Sequence, residues 1–170
     1  MDSVFKVLWS PWRSEYIKSF GKSKKEECLF CILPKKSDEE AYIVYRGKYA
    51  YVVLNAFPYN SGHLMIVPYR HVRSVIDLRE SEIHEIFDDL LKKSILALSE
   101  TLRPDGFNVG INIGRVAGAG IEDHVHVHVV PRWIGDTNFM PVIGGTKSLP
   151  VALDETYRIL RDYWVKNFGR

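Results

Sequence analysis

The sequence has few cysteines, no excess of one charge and no long apolar run. Its 170 residues include 23 Lys and Arg against 21 Asp and Glu, a formal charge of +2. This near balance gives no support to a nucleic-acid-binding or membrane-binding surface. The apolar run within residues 1–10 is too short for a signal peptide or a membrane-spanning helix, so we expect a cytoplasmic protein.

The only two cysteines are Cys28 and Cys31, in the sequence Cys-Leu-Phe-Cys. In a reducing cytoplasm this spacing is more typical of a metal half-site or a redox pair than of a structural disulfide. The simpler alternative is a pair of small buried hydrophobic side chains.

The chain shows no internal repeat and no linker long enough to divide it. Hydrophobic residues at 46% and charged residues at 26% are ordinary globular values. We therefore expect one folded domain, with an N-terminal arm at 1–27, a core at 28–135 and a C-terminal loop and helix at 136–170.

The most informative stretch is His124-Val-His-Val-His-Val-Val130, followed by Pro131. Because it alternates with a period of two and valine favours strands, it predicts a β-strand over 124–130. Its three imidazoles then share one face, and its valines point to the core. Two interpretations follow: a metal cluster or exposed polar face, or nucleophilic catalysis by a neutral imidazole.

The remaining pattern predicts three strands before a long helix and two after it. Residues 41–45 and 49–54 form a hairpin, and 63–67 form the next strand, closed by Pro68. A further strand is expected over 107–113, before a flexible glycine-rich turn at 114–120.

The long helix is expected to begin near Ser81, which can cap it, with Glu82 and Glu85 in the first turn. An apolar stripe runs along it: Ile83, Phe87, Leu90, Leu91, Ile95, Leu98 and Leu102. The C-terminal helix places Leu153, Tyr157, Leu160 and Trp164 on one face. This order of elements predicts an α+β fold, an antiparallel sheet of about five strands with helices on one side.

Two loops carry candidate site residues. Asn55 and His63 flank a turn-rich loop at strand ends, where sites are commonly built, although Asn55 could simply be a turn former. The glycines of 114–120 would let backbone N–H groups cradle a phosphate, but a plain glycine-rich hairpin would look the same.

The histidine motif is the signature of the histidine triad (HIT) superfamily of nucleotide hydrolases and transferases, which the chain resembles. Its segment 54–68 is similar to the ribose-side loop and following strand of the family. Its segments 106–114, 131–139 and 143–147 are similar to one branch, the bacterial diadenosine tetraphosphate phosphorylases. The similarity runs from about Trp9 to Trp164, so 28–135 would be the HIT core.

The resemblance implies roles for individual residues. His126 would be the nucleophile that attacks the α-phosphorus, and His128 would hydrogen-bond the phosphate and assist the leaving group. The residues implied to bind substrate are Asn55 at the ribose, Asn112 and the N–H groups of Ala119 and Gly120 at the phosphates, His63, and Trp133. For Trp133 a core or dimer-interface position is an equal alternative.

The resemblance also implies a metal site. Related proteins bind zinc through positions that correspond here to Cys28, Cys31, His71 and His124. Two thiolates and two imidazoles form a closed tetrahedral set, so one structural Zn²⁺ per chain is expected, holding the N-terminal segment on the sheet. His124 would then serve zinc and His126 would serve catalysis.

The implied reaction is cleavage of diadenosine tetraphosphate by inorganic phosphate to ATP and ADP, in a homodimer, with Mg²⁺ possible alongside the substrate. If water is the acceptor, the products are AMP and ATP. A nucleoside phosphoramidase is disfavoured, because Gly120 and Ile121 stand where many relatives carry Gln or Ser. The alternatives from other classes are a nucleotide-binding regulatory module and a metal-handling protein that uses all three histidines of the motif. No nucleic-acid or membrane partner is expected.

Overall fold

The computed structural model describes residues 28–137 and 151–169. Five strands carry the fold: β1 (Ile43–Arg46), β2 (Ala50–Leu54), β3 (Leu64–Pro68), β4 (Gly106–Gly110) and β5 (Val127–Arg132). The helices are α1 (Leu29–Ile32), α2 (Asp38–Ala41), α3 (Glu80–Ile83), a π-helical segment (His84–Leu90), α4 (Leu91–Leu102) and α5 (Leu153–Phe168), with short 3₁₀ turns at Leu33–Lys35, Val75–Asp77 and Arg115–Ala117. The expected arm at 1–27 and the segment 143–147 lie outside the described residues.

The strands form one antiparallel sheet in the order β1-β2-β3-β5-β4. β5 pairs with β3, Met65 lying opposite His128, and on its other side with β4, Gly110 opposite His128. His128 therefore lies on an interior strand of the sheet, and β4 is an edge strand. The predicted α+β fold with a five-stranded antiparallel sheet is confirmed.

The two faces of the sheet pack against different layers. On the face that we call the helix face, Leu64, Ile66, Val127 and Val129 pack against α4 and α5. On the opposite face, Met65 and Val67 pack against Phe30 of α1. Because side chains alternate along β5, His128 lies on this second face, which we call the histidine face. His124 and His126 also lie there, since both contact Phe30.

The strand that carries the histidines begins later than its sequence predicts. Hydrogen-bonded pairing starts at Val127, so His124 and His126 precede the ladder, although the Val125 N–H donates to the Val72 carbonyl at 2.7 Å. β4 likewise ends at Gly110 instead of residue 113, which places Asn112 in the loop beyond it. The predicted division of histidines and valines between two faces is correct for Val127, His128 and Val129.

The long helix differs from its prediction at its N-terminus. It begins at Glu80, and Ser81 does not cap it; instead Glu82 accepts the Arg79 N–H at 2.7 Å. The π-helical segment then adds residues to the turn, so Ile86 is buried and Ile83 is 42% exposed. The apolar stripe is right from Leu90 to Leu102 and wrong at Ile83.

The C-terminal helix packs as its pattern predicts. Tyr157, Leu160 and Trp164 are buried in the core of the helix face. Arg161 fixes the helix to the sheet, since it donates to the Val44 carbonyl at 2.7 Å and to Asp38 at 2.9 Å. Within residues 28–137 and 151–169, none of the helices has the length and apolar character needed to cross a bilayer.

Candidate active site and metal centre

A continuous row of aromatic rings crosses the histidine face. The ring centroids of His126 and His128 are 4.6 Å apart, and His63 lies 5.1 Å beyond His128. Phe30 closes the other end, with its centroid 4.8 Å from that of His126. The strand and its neighbours thus hold the imidazoles in a fixed order, with His126 and His128 edge to face and His63 tilted against His128.

The hydrogen bonds of His126 define which ring nitrogen carries its proton. Nδ1 lies 2.9 Å from the carbonyl oxygen of His124, and a carbonyl can only accept. Nδ1 must therefore be protonated, and in the neutral ring Nε2 keeps its lone pair. Burial lowers the pKa of His126, which favours this neutral form at pH 7.

A second chain of hydrogen bonds defines the proton on His128. The Tyr59 N–H donates to His63 Nδ1 at 3.1 Å, so the neutral His63 ring carries its proton on Nε2. That Nε2 lies 2.9 Å from His128 Nδ1, which must accept. In the neutral state His128 therefore carries its own proton on Nε2, the tautomer that can donate to a substrate oxygen.

The predicted metal ligands come together at the other end of the row. One ligand atom from each of Cys28, Cys31, His71 and His124 lies within 4.8 Å of all the others. His124 Nδ1 is 3.3 Å from Cys28 Sγ and 3.6 Å from Cys31 Sγ. Tetrahedral ligands at about 2.3 Å for sulfur and about 2.0 Å for nitrogen stand roughly 3.5 Å apart, so the set fits a zinc ion.

The surroundings of His124 prepare it as a ligand. Its Nε2 lies 2.9 Å from the Pro68 carbonyl, so Nε2 carries the proton and Nδ1 offers its lone pair to the cluster. Burial is the main cause that lowers the pKa of His124 to about 4, which keeps the ring neutral. His71 contributes from the surface, and its Nδ1 is 3.4 Å from Cys31 Sγ.

A groove runs from His128 along β5 and β4. Val130 and Arg132 continue the face of His128, and Asn108, Gly110 and Asn112 form the β4 side. Tyr59 and Asn60, from the loop before β3, form its remaining wall. The groove is rich in amides and contains one guanidinium, a lining suited to phosphate and sugar oxygens.

One carboxylate organises the far end of this groove. Asp136 accepts from Arg132 Nε at 2.6 Å and from Arg132 NH2 at 2.8 Å. It also accepts from Asn60 Nδ2 at 2.6 Å. The Arg132 hydrogen bonds hold the pKa of Asp136 well below its usual range, so the group is ionised.

The residues predicted to bind substrate are only partly brought together. Asn112 lines the groove, whereas Ala119, Gly120 and Trp133 are not among its lining residues. The Ala119 N–H is directed at the Gly114 carbonyl, 3.4 Å away. Trp133 is half-buried.

Asn55 and His63 form the base of the loop before β3. Asn55 Oδ1 accepts the Phe57 N–H at 3.0 Å, the turn-forming arrangement that the sequence left open. The His63 side chain is fully buried and contacts His128. It is not among the residues that line the groove.

Sequence reasoning did not select Tyr59, Asn60, Asn108, Arg132 or Asp136. For Arg132 a signal was available, because the period of two that groups His126 and His128 also places residue 132 on the same face. Asn60 and Asp136 carry no such signal, since their contact joins positions 76 residues apart in the sequence.

The fold and site define a class of protein: an α+β domain that presents a row of imidazoles on an antiparallel sheet, beside a Cys/His cluster. The HIT domain family model matches residues 36–133. The chain belongs to this family.

Individual relatives agree with this assignment and with the predicted resemblance to the phosphorylase branch. The AP-4-A phosphorylase of Mycobacterium tuberculosis is 44% identical over 165 residues, which cover 94% of this chain and 84% of that protein. The asymmetrical bis(5'-nucleosyl)-tetraphosphatase of Schizosaccharomyces pombe is 32% identical over 90 residues, 53% of this chain and 48% of that protein. The crystal structure of a Zn-bound histidine triad family protein from Mycobacterium smegmatis matches with a TM-score of 0.66 and 25% identity, over 82% of this chain and 94% of that one.

Proposed function

We propose that the protein is an enzyme that cleaves diadenosine tetraphosphate with inorganic phosphate, through a nucleotidyl intermediate on His126, to give ATP and ADP. The similarity to the mycobacterial AP-4-A phosphorylase over 94% of the chain supports the substrate. The observation that carries the mechanism is the pair of opposite tautomers, a lone pair on His126 Nε2 beside a proton on His128 Nε2.

In the first step His126 Nε2 attacks the α-phosphorus of one adenylyl group. A phosphorus–nitrogen bond forms while the bond from phosphorus to the bridging oxygen breaks, and ATP leaves. His128 donates a hydrogen bond from Nε2 to the departing oxygen. Negative charge develops on the departing oxygen. The hydrogen bond from His63 Nε2–H to His128 Nδ1 keeps the His128 ring oriented toward that oxygen.

In the second step an oxygen of inorganic phosphate attacks the adenylyl phosphorus and displaces His126, which releases ADP. Attack by water on the same intermediate would release AMP. The similarity to the tetraphosphatase of S. pombe favours this hydrolysis as the second candidate function. Mg²⁺ bound to the polyphosphate is part of the proposal for either acceptor.

We propose that Cys28, Cys31, His71 and His124 hold one structural Zn²⁺. The ion would supply a fixed crosslink between the segment 28–31 and the sheet, and it takes no part in bond making. The fit of the ligand spacing and the Zn-bound relative from M. smegmatis support this assignment.

We also propose a homodimer in the cytoplasm. β4 is an edge strand, and near it the side chains of Val109, Ile113 and Val116 are exposed by 44%, 47% and 105%. Sedimentation velocity at micromolar concentration measures the state, and a single monomeric species would contradict the proposal.

The decisive experiment is product analysis with diadenosine tetraphosphate and ³²P-labelled phosphate. We expect label in ADP, turnover that requires phosphate, and a loss of at least about 10³-fold in turnover in His126→Gln. His84→Gln is the matched control, because its ring is 76% exposed on the long helix.

Each other result has a defined meaning. Formation of AMP and ATP at the same rate without phosphate would replace phosphorolysis by hydrolysis. Turnover retained in His126→Gln would overturn the covalent mechanism. Tight nucleotide binding with no turnover in the wild-type protein would favour the regulatory module.

A further inference from the structure

Asp136 joins two segments that meet beside the groove, the end of β5 and the loop before β3. Its carboxylate accepts from Arg132 at the end of β5, from Asn60 in the loop before β3, and from the backbone N–H of Trp133 at 3.2 Å. The side chain of Asp136 is 10% exposed and that of Arg132 is 42% exposed, so the carboxylate itself is largely shielded from water. A carboxylate in such a position fixes the groups around it more than a surface ion pair would.

Asn60 transmits this constraint to the loop. Its two amide hydrogens are both used, one to Asp136 at 2.6 Å and one to the Pro131 carbonyl at 2.9 Å. The residue is 5% exposed. The side chain therefore bridges the loop before β3 to the strand that carries His128.

The same residue also holds His63. The Asn60 carbonyl accepts the His63 N–H at 3.1 Å, and the pairing of β3 with β5 begins only at Leu64. The β3–β5 pairing thus does not include His63. The backbone of His63 is held instead by the loop before β3. A small movement of Asn60 would shift the His63 ring and with it the 2.9 Å bond to His128 Nδ1.

Close packing at Gly62 restricts the position of the loop. Gly62 has φ +81°, and a Cβ there would lie 2.5 Å from Leu102 Cδ1 and 3.3 Å from Pro131 Cγ. The loop is therefore packed directly against α4 and the end of β5. Its position is set by contacts on both sides, of which Asp136 supplies the polar one.

We propose that Asp136 is a positioning residue for the reaction: it clamps Asn60 and Arg132 together and thereby sets the His63–His128 hydrogen bond. The proposal rests on the proposed nucleotidyl transfer. Asp136 does not touch the reacting phosphorus; it acts through the tautomer and orientation of His128. Asp136 therefore differs from an ion pair that only stabilises the fold. Its removal changes the hydrogen bonding of the His128 ring, which Asp136 reaches through Asn60 and His63.

The test uses Asp136→Asn, which keeps the shape and removes the charge. We expect kcat to fall about tenfold, because positioning for the chemical step is lost. In ¹H–¹⁵N spectra of the resting protein, His128 should change from a single Nε2–H tautomer to a mixture. Asn60→Ala removes the bridge but keeps the Arg132 ion pair, and it should give the same mixture.

The matched control is Asp38→Asn. Asp38 likewise accepts hydrogen bonds from arginines, from Arg46 at 2.6 Å and from Arg161 at 2.9 Å. None of these three residues lines the groove. We expect it to lower stability while leaving kcat and the His128 spectrum unchanged.

A double-mutant cycle completes the design. If Asp136 acts through His63, the kcat loss of Asp136→Asn disappears in a His63→Gln background. Unchanged His128 spectra in both Asp136→Asn and Asn60→Ala, or losses that multiply independently in the cycle, would overturn the proposal. The spectra need no turnover, so a failure of the proposed function, seen in His126→Gln, is distinguished from a failure of the clamp.

Discussion

Each histidine of the site owes its chemistry to one neighbouring atom. A carbonyl at Nδ1 of His126 leaves a lone pair at Nε2, whereas a carbonyl at Nε2 of His124 leaves the lone pair at Nδ1. The tautomer of His128 is determined by a hydrogen-bond donor, His63 Nε2–H, instead of an acceptor. Identical side chains on one segment are therefore suited to different proposed roles, those of metal ligand, nucleophile and hydrogen-bond donor, because the partner of one ring nitrogen decides the state of the other.

Glu82 offers a pH-dependent test of a buried carboxylate at this scale. Its hydrogen bonds with Arg70, at 2.6 and 2.9 Å, are the main cause that lowers its pKa. A carboxyl with a lowered folded-state pKa stabilises the fold above its unfolded pKa of about 4.3 and loses this contribution as the pH falls through the folded value.

We expect Glu82→Gln to reduce the free energy of unfolding by about 2 kcal/mol at pH 7. The difference from wild type should narrow as the pH falls from about 5 to about 3. Urea unfolding at a series of pH values measures it, with Glu80→Gln, an exposed neighbour in the same turn, as the control. A difference that stays constant down to pH 3 would contradict this origin.

At the scale of elements, the π-helical segment decides how the long helix meets the sheet. It directs Glu85 at the turn between β1 and β2, where the carboxylate accepts the N–H groups of Lys48, Tyr49 and Ala50 at 2.6 to 2.8 Å. Gly47 makes room for this contact, since a Cβ there would lie 2.8 Å from Glu85 Oε1.

The reach of sequence reasoning follows from the range of the interactions. The alternation that separates His128 from Val127 and Val129 is a local pattern, and it predicts the two faces of the sheet. The metal ligands were expected from the family resemblance, and the structure brings these four side chains together. The π-helical segment that changes the helix register also carries Glu85, which contacts a hairpin 35 to 37 residues away. Helical periodicity describes only neighbours along the helix and cannot predict such a contact. The same is true of the Asn60–Asp136 bond.

We expect Glu85→Gln to lower the free energy of unfolding by about 2 kcal/mol, because an amide replaces a charged acceptor shared by several backbone donors. Asp88→Asn, whose side chain is 56% exposed, is the control and should change stability by less than about 0.5 kcal/mol. Chemical denaturation of both variants is the measurement. Equal losses would mean that the capping of the β1–β2 turn contributes nothing specific.

Across the whole molecule, the sheet lies between unequal layers. The long helix and α5 cover the helix face with a large apolar cluster. Among the described residues, the histidine face is covered by the short segment that contains Phe30, Leu33 and Ala41. Within this segment, Phe30 contacts His124 and His126. The Cys/His cluster lies where this thin layer joins the sheet. In the proposal, a zinc ion there would hold the layer in place.

Metal removal tests that role. We expect about one zinc per chain by elemental analysis, and a loss of roughly 3 kcal/mol or more of stability when a chelator removes it. Hydrogen exchange should accelerate first in the segment 28–41. Cys28→Ser should reproduce both effects and His84→Ser neither; thermal stability unaffected by chelation in a zinc-containing sample would contradict the structural assignment.

The alternation of histidine and valine also governs which changes of length the gene can accept. Inserting one residue between His124 and His128 would exchange the two faces on one side of the insertion, moving an imidazole into the apolar core and a valine into the cleft. Inserting two would keep the face but displace one histidine from the other by about 7 Å. In a library of insertions and deletions this segment should therefore be intolerant at every position, even where exchange of Val127 or Val129 for another aliphatic residue is accepted.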